Sequence, residues 1–266
     1  MTATESFSAK DVMALRQKTG MGMMDCKKAL AETGGDMKAA EQWLRDHAKG
    51  KMEARTERAT GEGRIAIAIE GARAAIVEVL TETDFTAKSD GFVSMADDVA
   101  RLALTQDAGE VIATDDIAKR IDDVRLTTKE NTNLSRGVRL DGGTFGCYVH
   151  FDGKRAALVQ IDGSADAETL KGICQHIVFH DPKGISQADI PAEALDKVRT
   201  DAIKDAQASG KPEQIAQKIA EGKVRKFLEE NTLLNQKYVL DEARPVKDVL
   251  PKGATIRGFI RYTLGA

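Results

Sequence analysis

Apolar residues recur at helical spacing along the first fifty residues of the chain. Helices are predicted over residues 12–18, 24–32 and 37–49. Ser8 and Asp11 form a potential capping box ahead of the first of them. The pattern predicts a small three-helix bundle over residues 1–52, followed by a charged, aperiodic linker over residues 53–63.

Beyond the linker, alternating apolar residues indicate strands. Strands followed by a helix are predicted over residues 64–70, 74–80 and 92–104, and again over 144–151, 156–159 and 167–180. In the first strand, isoleucine alternates with alanine, so Ile65, Ile67 and Ile69 share one face. The stretch 71–77 returns with few changes at 153–159, 82 residues later, which indicates a repeated unit of a β-hairpin and a helix. The predicted fold class is α+β, with core subdomains over residues 64–140 and 141–266.

A mostly polar helical region interrupts the second subdomain. Helical patterns on both sides of the turn residues 210–212 predict an antiparallel helical hairpin over about residues 186–230. Its arms are expected to meet through larger apolar side chains and alanines: Ala194, Val198, Ala202 and Ile203 against Ile215, Ile219 and Val224. A final strand is predicted over residues 255–262.

Composition excludes several classes of protein. The 266 residues carry 39 basic and 42 acidic side chains, mixed along the chain, which argues against direct nucleic-acid binding. No apolar run of about 18 residues is present, so no membrane span is expected. Cys26, Cys147 and Cys174 are odd in number and widely spaced, as for free thiols in a reducing compartment. Residues 1–6 lack the features of a secretion signal, and we expect a cytoplasmic protein.

Motifs for catalytic chemistry are weak in this sequence. His176 and His180 have the spacing of a two-histidine metal face, but the glutamate of a zinc-protease helix and an obvious third ligand are missing. Neither a phosphate-binding Gly-Lys-Ser/Thr loop nor a nucleophile elbow occurs. The sequence therefore predicts a binding protein with no catalytic residues, metal site or cofactor of its own.

One segment places a large aromatic residue in a polar setting. Asp84 and Phe85 lie between a predicted strand and a predicted helix, where the second copy of the repeat has only the short connection 162–166. Either the ring of Phe85 folds back into the core, or a partner protein receives it. The methionines of residues 21–24 likewise fit a core or an adaptable surface, and residues 131–136 could simply connect the repeats.

Two of these segments carry a resemblance to a known family. Residues 15–30 and 82–88 resemble the elongation factor Ts family, bacterial nucleotide-exchange partners of the translational GTPase elongation factor Tu. Glu130-Asn131, the turn 210–212 and residues 258–261 support the match. The resemblance implies a ubiquitin-associated-like N-terminal bundle, two related α+β subdomains and an inserted helical hairpin.

The resemblance also implies where a partner binds. A wedge of Thr83, Asp84, Phe85 and Thr86 would enter beside the nucleotide of elongation factor Tu and displace its magnesium ion. Contacts elsewhere would come from these residues: Met21, Met23, Met24, Lys27 and His150. A homodimer or a heterotetramer with the GTPase would fit. Thr86 stands where valine is usual and Met21 where alanine is common. The alternative is a ubiquitin-like or ribosome-associated adaptor that uses the N-terminal bundle alone.

Overall fold

A computed structural model describes residues 7–53 and 56–266, without the side chains of residues 48–53. Residues 1–6, which bear on the expected absence of a secretion signal, and residues 54 and 55 of the predicted linker lie outside the described part. The chain divides into two compact units, which are described separately. The first comprises essentially the residues up to 68 together with 75–139, and the second comprises 69–74 and 140–264.

The first unit contains a helical bundle and a sheet with its own helices. Its helices are α1 (Ala9–Thr19), α2 (Met23–Glu32), α3 (Met37–Glu53), α4 (Asp84–Ala87), α5 (Asp90–Ala103) and α6 (Asp115–Thr128). Its strands are β1 (Glu62–Glu70), β2 (Arg73–Thr81), β3 (Gly109–Glu110) and β4 (Thr132–Asp141). The strands lie side by side in the order β1-β2-β4-β3.

The bundle forms where the helical pattern predicts it. The Ser8 backbone N–H donates to the Asp11 carboxylate over 2.7 Å, and the Asp11 N–H donates to the Ser8 hydroxyl, so the predicted capping box begins α1. Leu15, Leu30 and Leu44 supply one buried side chain from each helix. Helix α3 continues to Glu53 and β1 begins at Glu62, so the intervening connection is shorter than the predicted linker 53–63.

The core of the sheet lies between β2 and α5. Ala75, Val77 and Val79 on β2 are fully buried in one cluster with side chains of α5: Phe92, Met95, Ala96 and Val99. From β1, Ala66 and Ala68 join this cluster, so the isoleucines of β1 share the opposite face of the sheet. On that opposite face the buried Glu78 carboxylate accepts a hydrogen bond from Arg136 over 2.9 Å.

Strand β4 corrects one expectation. Residues 132–136, which the polar sequence suggested as a connection, form the beginning of this strand. Two of its polar side chains have partners that are distant in sequence: Asn133 donates to the Thr60 hydroxyl over 3.2 Å, and Arg136 pairs with Glu78 of β2. Leu134 packs on the α5 core. Because such partners accommodate polar side chains, the strand does not need an apolar pattern.

The second unit repeats the hairpin and helix. Its strands are β5 (Thr144–Val149), β6 (Arg155–Asp162), β7 (Lys237–Tyr238), β8 (Asp241–Pro245) and β9 (Thr255–Thr263), and its helices are α7 (Ala167–His180), α8 (Ala192–Ala208) and α9 (Glu213–Asn231). Strand β6 pairs antiparallel with β5 and β9, and Leu158 lies opposite Cys147 on one side and Ile260 on the other. Val159 and Ile161 pack against Ile173 of α7. The α+β prediction is therefore confirmed.

Helices α8 and α9 form the predicted hairpin, and the prediction of its contact residues is correct in part. The buried residues of the two arms are alanines: Ala202, Ala206, Ala216 and Ala220. Ala202 was among the predicted contacts, whereas Ile215 and Ile219, which were predicted to face the other arm, are 46% and 36% exposed. Alanines allow the two helix backbones to approach closely, so these two isoleucines are not needed to fill the contact.

We expect Ala216→Leu to destabilise the hairpin by about 1–3 kcal/mol, because the added side chain overpacks the contact between α8 and α9. Faster hydrogen exchange of the α8 and α9 amides would report the loss. Ile215→Ala, one residue away but exposed, is the matched control and should change the exchange little. If Ile215→Ala accelerated the hydrogen exchange as much as Ala216→Leu, the isoleucine would also contribute to the contact between α8 and α9.

Candidate functional site

The segment after β2 forms the short helix α4. Its N-cap is Thr83, whose hydroxyl accepts a hydrogen bond from the Thr86 backbone N–H over 3.3 Å. Ser89 in turn caps α5, through a hydrogen bond from the Phe92 N–H. A helix of 4 residues is too short to be stable by itself, so α4 depends on the contacts that hold its ends.

Phe85 projects from α4 into solvent. Its side chain is 85% exposed, whereas the next phenylalanine, Phe92, is completely buried in the α5 core. The ring of Phe85 therefore does not fold back into the protein. Leaving such a ring in water forgoes about 1.5–3 kcal/mol that burial would provide, which is typical of a residue that a partner covers.

Asp84 precedes Phe85 on α4 and forms an ion pair with Lys88, the C-cap residue of this helix. The Lys88 ammonium approaches the Asp84 carboxylate to 2.7 Å, and both side chains are substantially exposed. An exposed pair of this kind contributes little to stability, so the Asp84 carboxylate can readily exchange Lys88 for another partner.

Thr86 points into the protein instead of outward with Phe85. It is 8% exposed, and its side chain is among the groups that lower the pKa of Glu130. In this structure Thr86 is therefore the buried member of the predicted wedge, and its contact with a partner stays a prediction. The exposed part of the segment is formed by Asp84, Phe85 and Lys88.

Glu130 binds the residues at the start of this segment. Its carboxylate accepts hydrogen bonds from the Thr83 N–H over 3.1 Å, from the Thr83 hydroxyl over 2.7 Å and from the Thr81 hydroxyl over 3.1 Å. Burial alone would raise the pKa of Glu130, but the hydrogen bonds from Thr83, Thr86 and Thr81 together outweigh it and lower that pKa below its ordinary value. The sequence alone does not predict this contact, because Glu130 lies 47 residues from Thr83 along the chain.

The N-terminal bundle presents some, but not all, of its candidate contact residues. Met24 is 75% exposed, and Met23 and Lys27 are also at the surface of α2. Met21 is 7% exposed and belongs to the core of the bundle, in place of the surface position that the resemblance implies. Its side chain fills the space next to the glycine-rich turn, which is a typical use of methionine. The exposed Met13 on α1 was not predicted.

His150 lies just after β5 in the second unit. Its Nδ1 is 3.0 Å from the Tyr148 hydroxyl, and its ring centroid is 4.5 Å from that of Phe151. Phe151 is 88% exposed. The candidate histidine is thus half-buried and lies against the exposed ring of Phe151, which the sequence offered no reason to select.

Comparison with known proteins covers nearly the whole chain. The family model described as "Elongation factor TS" matches residues 82–266, and the one described as "Elongation factor Ts, mitochondrial, N-terminal" matches residues 2–51. The chain belongs to the elongation factor Ts family.

Curated relatives agree with these two matches. The Elongation factor Ts of Thiobacillus denitrificans is 42% identical over 97% of this chain and 92% of the relative. That of Methylococcus capsulatus is 42% identical over 98% and 92%, and that of a Ruegeria species 38% identical over 98% and 93%. Membership of a translation elongation factor family is therefore established.

In this family member, His176 has a structural role. Its Nδ1 accepts a hydrogen bond from the Val239 N–H over 3.1 Å, so its Nε2 carries the proton and donates to the Gln236 side-chain oxygen over 2.9 Å. Both ring nitrogens are thus engaged, which contradicts the weak alternative of a metal face with His180. Over residues 7–53 and 56–266, no cluster of three His, Cys, Asp or Glu side chains could hold a metal ion.

Within the described ranges of the chain, no helix is both long enough and apolar enough to cross a bilayer.

His176 should make the protein less stable in acid. Burial lowers its pKa from 6.5 to about 4. As the pH falls from 6.5 to about 4, His176 is protonated in the unfolded chain before it is protonated in the folded protein. The free energy of unfolding therefore falls by up to about 3 kcal/mol over this pH range. We expect His176→Asn, whose amide oxygen can still accept from Val239, to flatten this loss in urea unfolding followed against pH.

The exposed His47 is the matched control for this measurement, since it stacks on Trp43 at the surface of α3. His47→Asn should leave the pH dependence of unfolding as it is. A wild-type pH dependence in His176→Asn would show that another group is responsible.

Proposed function

We propose that this protein binds elongation factor Tu and promotes release of GDP by displacing the bound magnesium ion, so that GTP can then bind. The observation that carries the proposal is the exposed ring of Phe85 beside the carboxylate of Asp84 on α4. The protein would act by binding, with no chemistry of its own. Its partner implies a cytoplasmic location.

The mechanism rests on coupled binding. In translational GTPases, magnesium bridges the phosphate oxygens to the protein and holds the nucleotide. An exchange factor of this kind binds most tightly to the GTPase that carries neither metal nor nucleotide. By thermodynamic linkage, it then weakens nucleotide binding as much as the nucleotide weakens the binding of the exchange factor. Burial of Phe85 in the partner could supply about 1.5–3 kcal/mol, which corresponds to roughly one to two decades of affinity.

Asp84 adds an electrostatic contribution to this coupling. A carboxylate placed near the nucleotide site would repel phosphate oxygens and compete for hydrogen-bond donors. Its ion-pair partner Lys88 is the C-cap residue of α4, and an exposed pair of this kind can separate at little cost. The short helix therefore combines an apolar group and a movable charge at one surface.

Further contacts would hold the GTPase while α4 acts. Met23, Met24 and Lys27 offer adaptable apolar area and a cation on the bundle. His150 with Phe151 offers an aromatic contact in the second unit.

Binding by the bundle alone would instead support the adaptor alternative, in which complex formation survives removal of residues 60–266. Light scattering of the purified complex would separate a heterodimer from a heterotetramer.

The direct test is release of a fluorescent GDP analogue from purified elongation factor Tu, followed by stopped flow. We expect this protein to accelerate release strongly, and excess magnesium to reduce the acceleration because the metal competes with displacement. Complex formation without acceleration would contradict exchange activity. Acceleration that is independent of magnesium would contradict displacement of the metal.

Phe85→Ala should lower the exchange rate at least tenfold, since the variant loses the apolar group that enters the partner. Because the ring is exposed, the free energy of unfolding should stay close to the wild-type value. Phe179→Ala is the matched control, because it removes another exposed phenylalanine ring, from α7. An unchanged exchange rate in Phe85→Ala would refute the wedge.

A further inference from the structure

The segment that carries Phe85 leaves the sheet at a junction of two strands. Thr81, the last residue of β2, and Thr132, the first of β4, have their hydroxyl oxygens 3.2 Å apart. Both residues are completely buried. The chain departs for α4 at the same place where it arrives from α6, so contacts at this junction determine the direction in which α4 points.

Two carboxylates cross the junction in opposite directions. Glu130, which precedes β4, accepts the Thr83 backbone N–H and the Thr83 hydroxyl. Glu82, which follows β2, accepts the Asn131 backbone N–H over 2.6 Å. Each flank therefore binds the backbone of the other, and we call this arrangement of Glu82, Thr83, Glu130 and Asn131 the carboxylate clamp.

The clamp is anchored on its far side as well. The buried Asn131 amide donates to the backbone carbonyls of Thr56 and Arg58, over 3.1 and 2.8 Å. The Arg58 guanidinium lies 3.3 Å from the Glu82 carboxylate. A change in the position of Glu82 or Thr83 would thus disturb several hydrogen bonds at once, which makes the clamp a rigid base.

We propose that Glu130 is a positioning residue for nucleotide exchange: by holding Thr83 at the N-terminus of α4, it fixes Phe85 in its outward orientation before the partner arrives. This inference rests on the proposed exchange function. It follows from geometry, because α4 is too short to hold itself and its N-cap residue is bound through both backbone and side chain to one carboxylate. A ring that is already oriented loses less conformational freedom on binding.

A carboxylate suits this position better than an amide. Glu130 accepts hydrogen bonds from the Thr81 hydroxyl and from both the backbone N–H and the hydroxyl of Thr83. An ionised carboxylate offers only acceptor sites, whereas a glutamine would direct its NH₂ group at one of these donors. Glu130→Gln therefore keeps the shape of the side chain while it disrupts the attachment of Thr83.

The test is a double-mutant cycle between Glu130→Gln and Phe85→Ala, with release of the fluorescent GDP analogue as the readout. At saturating exchange factor, we expect Glu130→Gln to lower the release rate about tenfold, the loss of a hydrogen bond to a charged group. In the Phe85→Ala background the same change should alter the rate less than about twofold, because Glu130 acts through the ring.

Glu110→Gln is the matched control, because it makes the same chemical change at an exposed position of β3 in the same unit, and should leave exchange unchanged. Thermal unfolding of all variants would report their folding. If Glu130→Gln does not fold, Thr81→Val carries the test: it removes one donor to Glu130 and should lower the saturating rate about threefold, only when Phe85 is present.

The outcomes separate this inference from the proposed function. Loss of exchange in Phe85→Ala with wild-type exchange in Glu130→Gln would overturn the positioning role and leave the exchange function standing. Equal losses from Glu130→Gln in the two backgrounds would also overturn it, because the effect would not pass through the ring. No acceleration by the wild-type protein would remove the exchange function itself.

Discussion

The packing of α5 on β2 is the constraint on which the segment that carries Phe85 depends. Phe92, in the first turn of α5, is fully buried with Val77 and Val79, and its burial is worth about 1.5–3 kcal/mol. This packing fixes where β2 must end and where α5 must begin. Since Phe92 already occupies the core at this end of the helix, Phe85 has no space there and remains at the surface.

The second unit shows the same scaffold without the segment that carries Phe85. There β6 leads into α7 through a short polar turn, and Asp166 caps the helix by accepting from the Thr169 N–H over 2.8 Å. A helix cap and a turn are therefore sufficient to connect strand and helix. The additional helix α4 in the first unit is not required to connect the strand with the helix, which supports the proposed role of its exposed ring in binding.

Much of this fold could be predicted from the sequence, because caps, turns and apolar periods are local signals. The capping box of α1 and the bounds of α7 are examples.

What could not be predicted depends on partners distant in sequence. Strand β4 tolerates polar residues because Thr60 and Glu78 bind two of its polar side chains. The hairpin packs through alanines because these small residues let the two helix backbones approach closely. The candidate site divides likewise: the exposure of Phe85 was one of two predicted alternatives, whereas the inward turn of Thr86 follows from Glu130.

The threonine at position 86 and the glutamate at 130 therefore have to be considered together. A hydroxyl at this position would be costly if it faced an apolar surface that offers it no hydrogen-bond partner. Thr86 is 8% exposed and its side chain is one of the groups that lower the pKa of Glu130, so the polar residue is accommodated inside the protein. The exposed part of the segment is then left to Phe85, and under the proposed function the apolar contact with the partner depends on that ring.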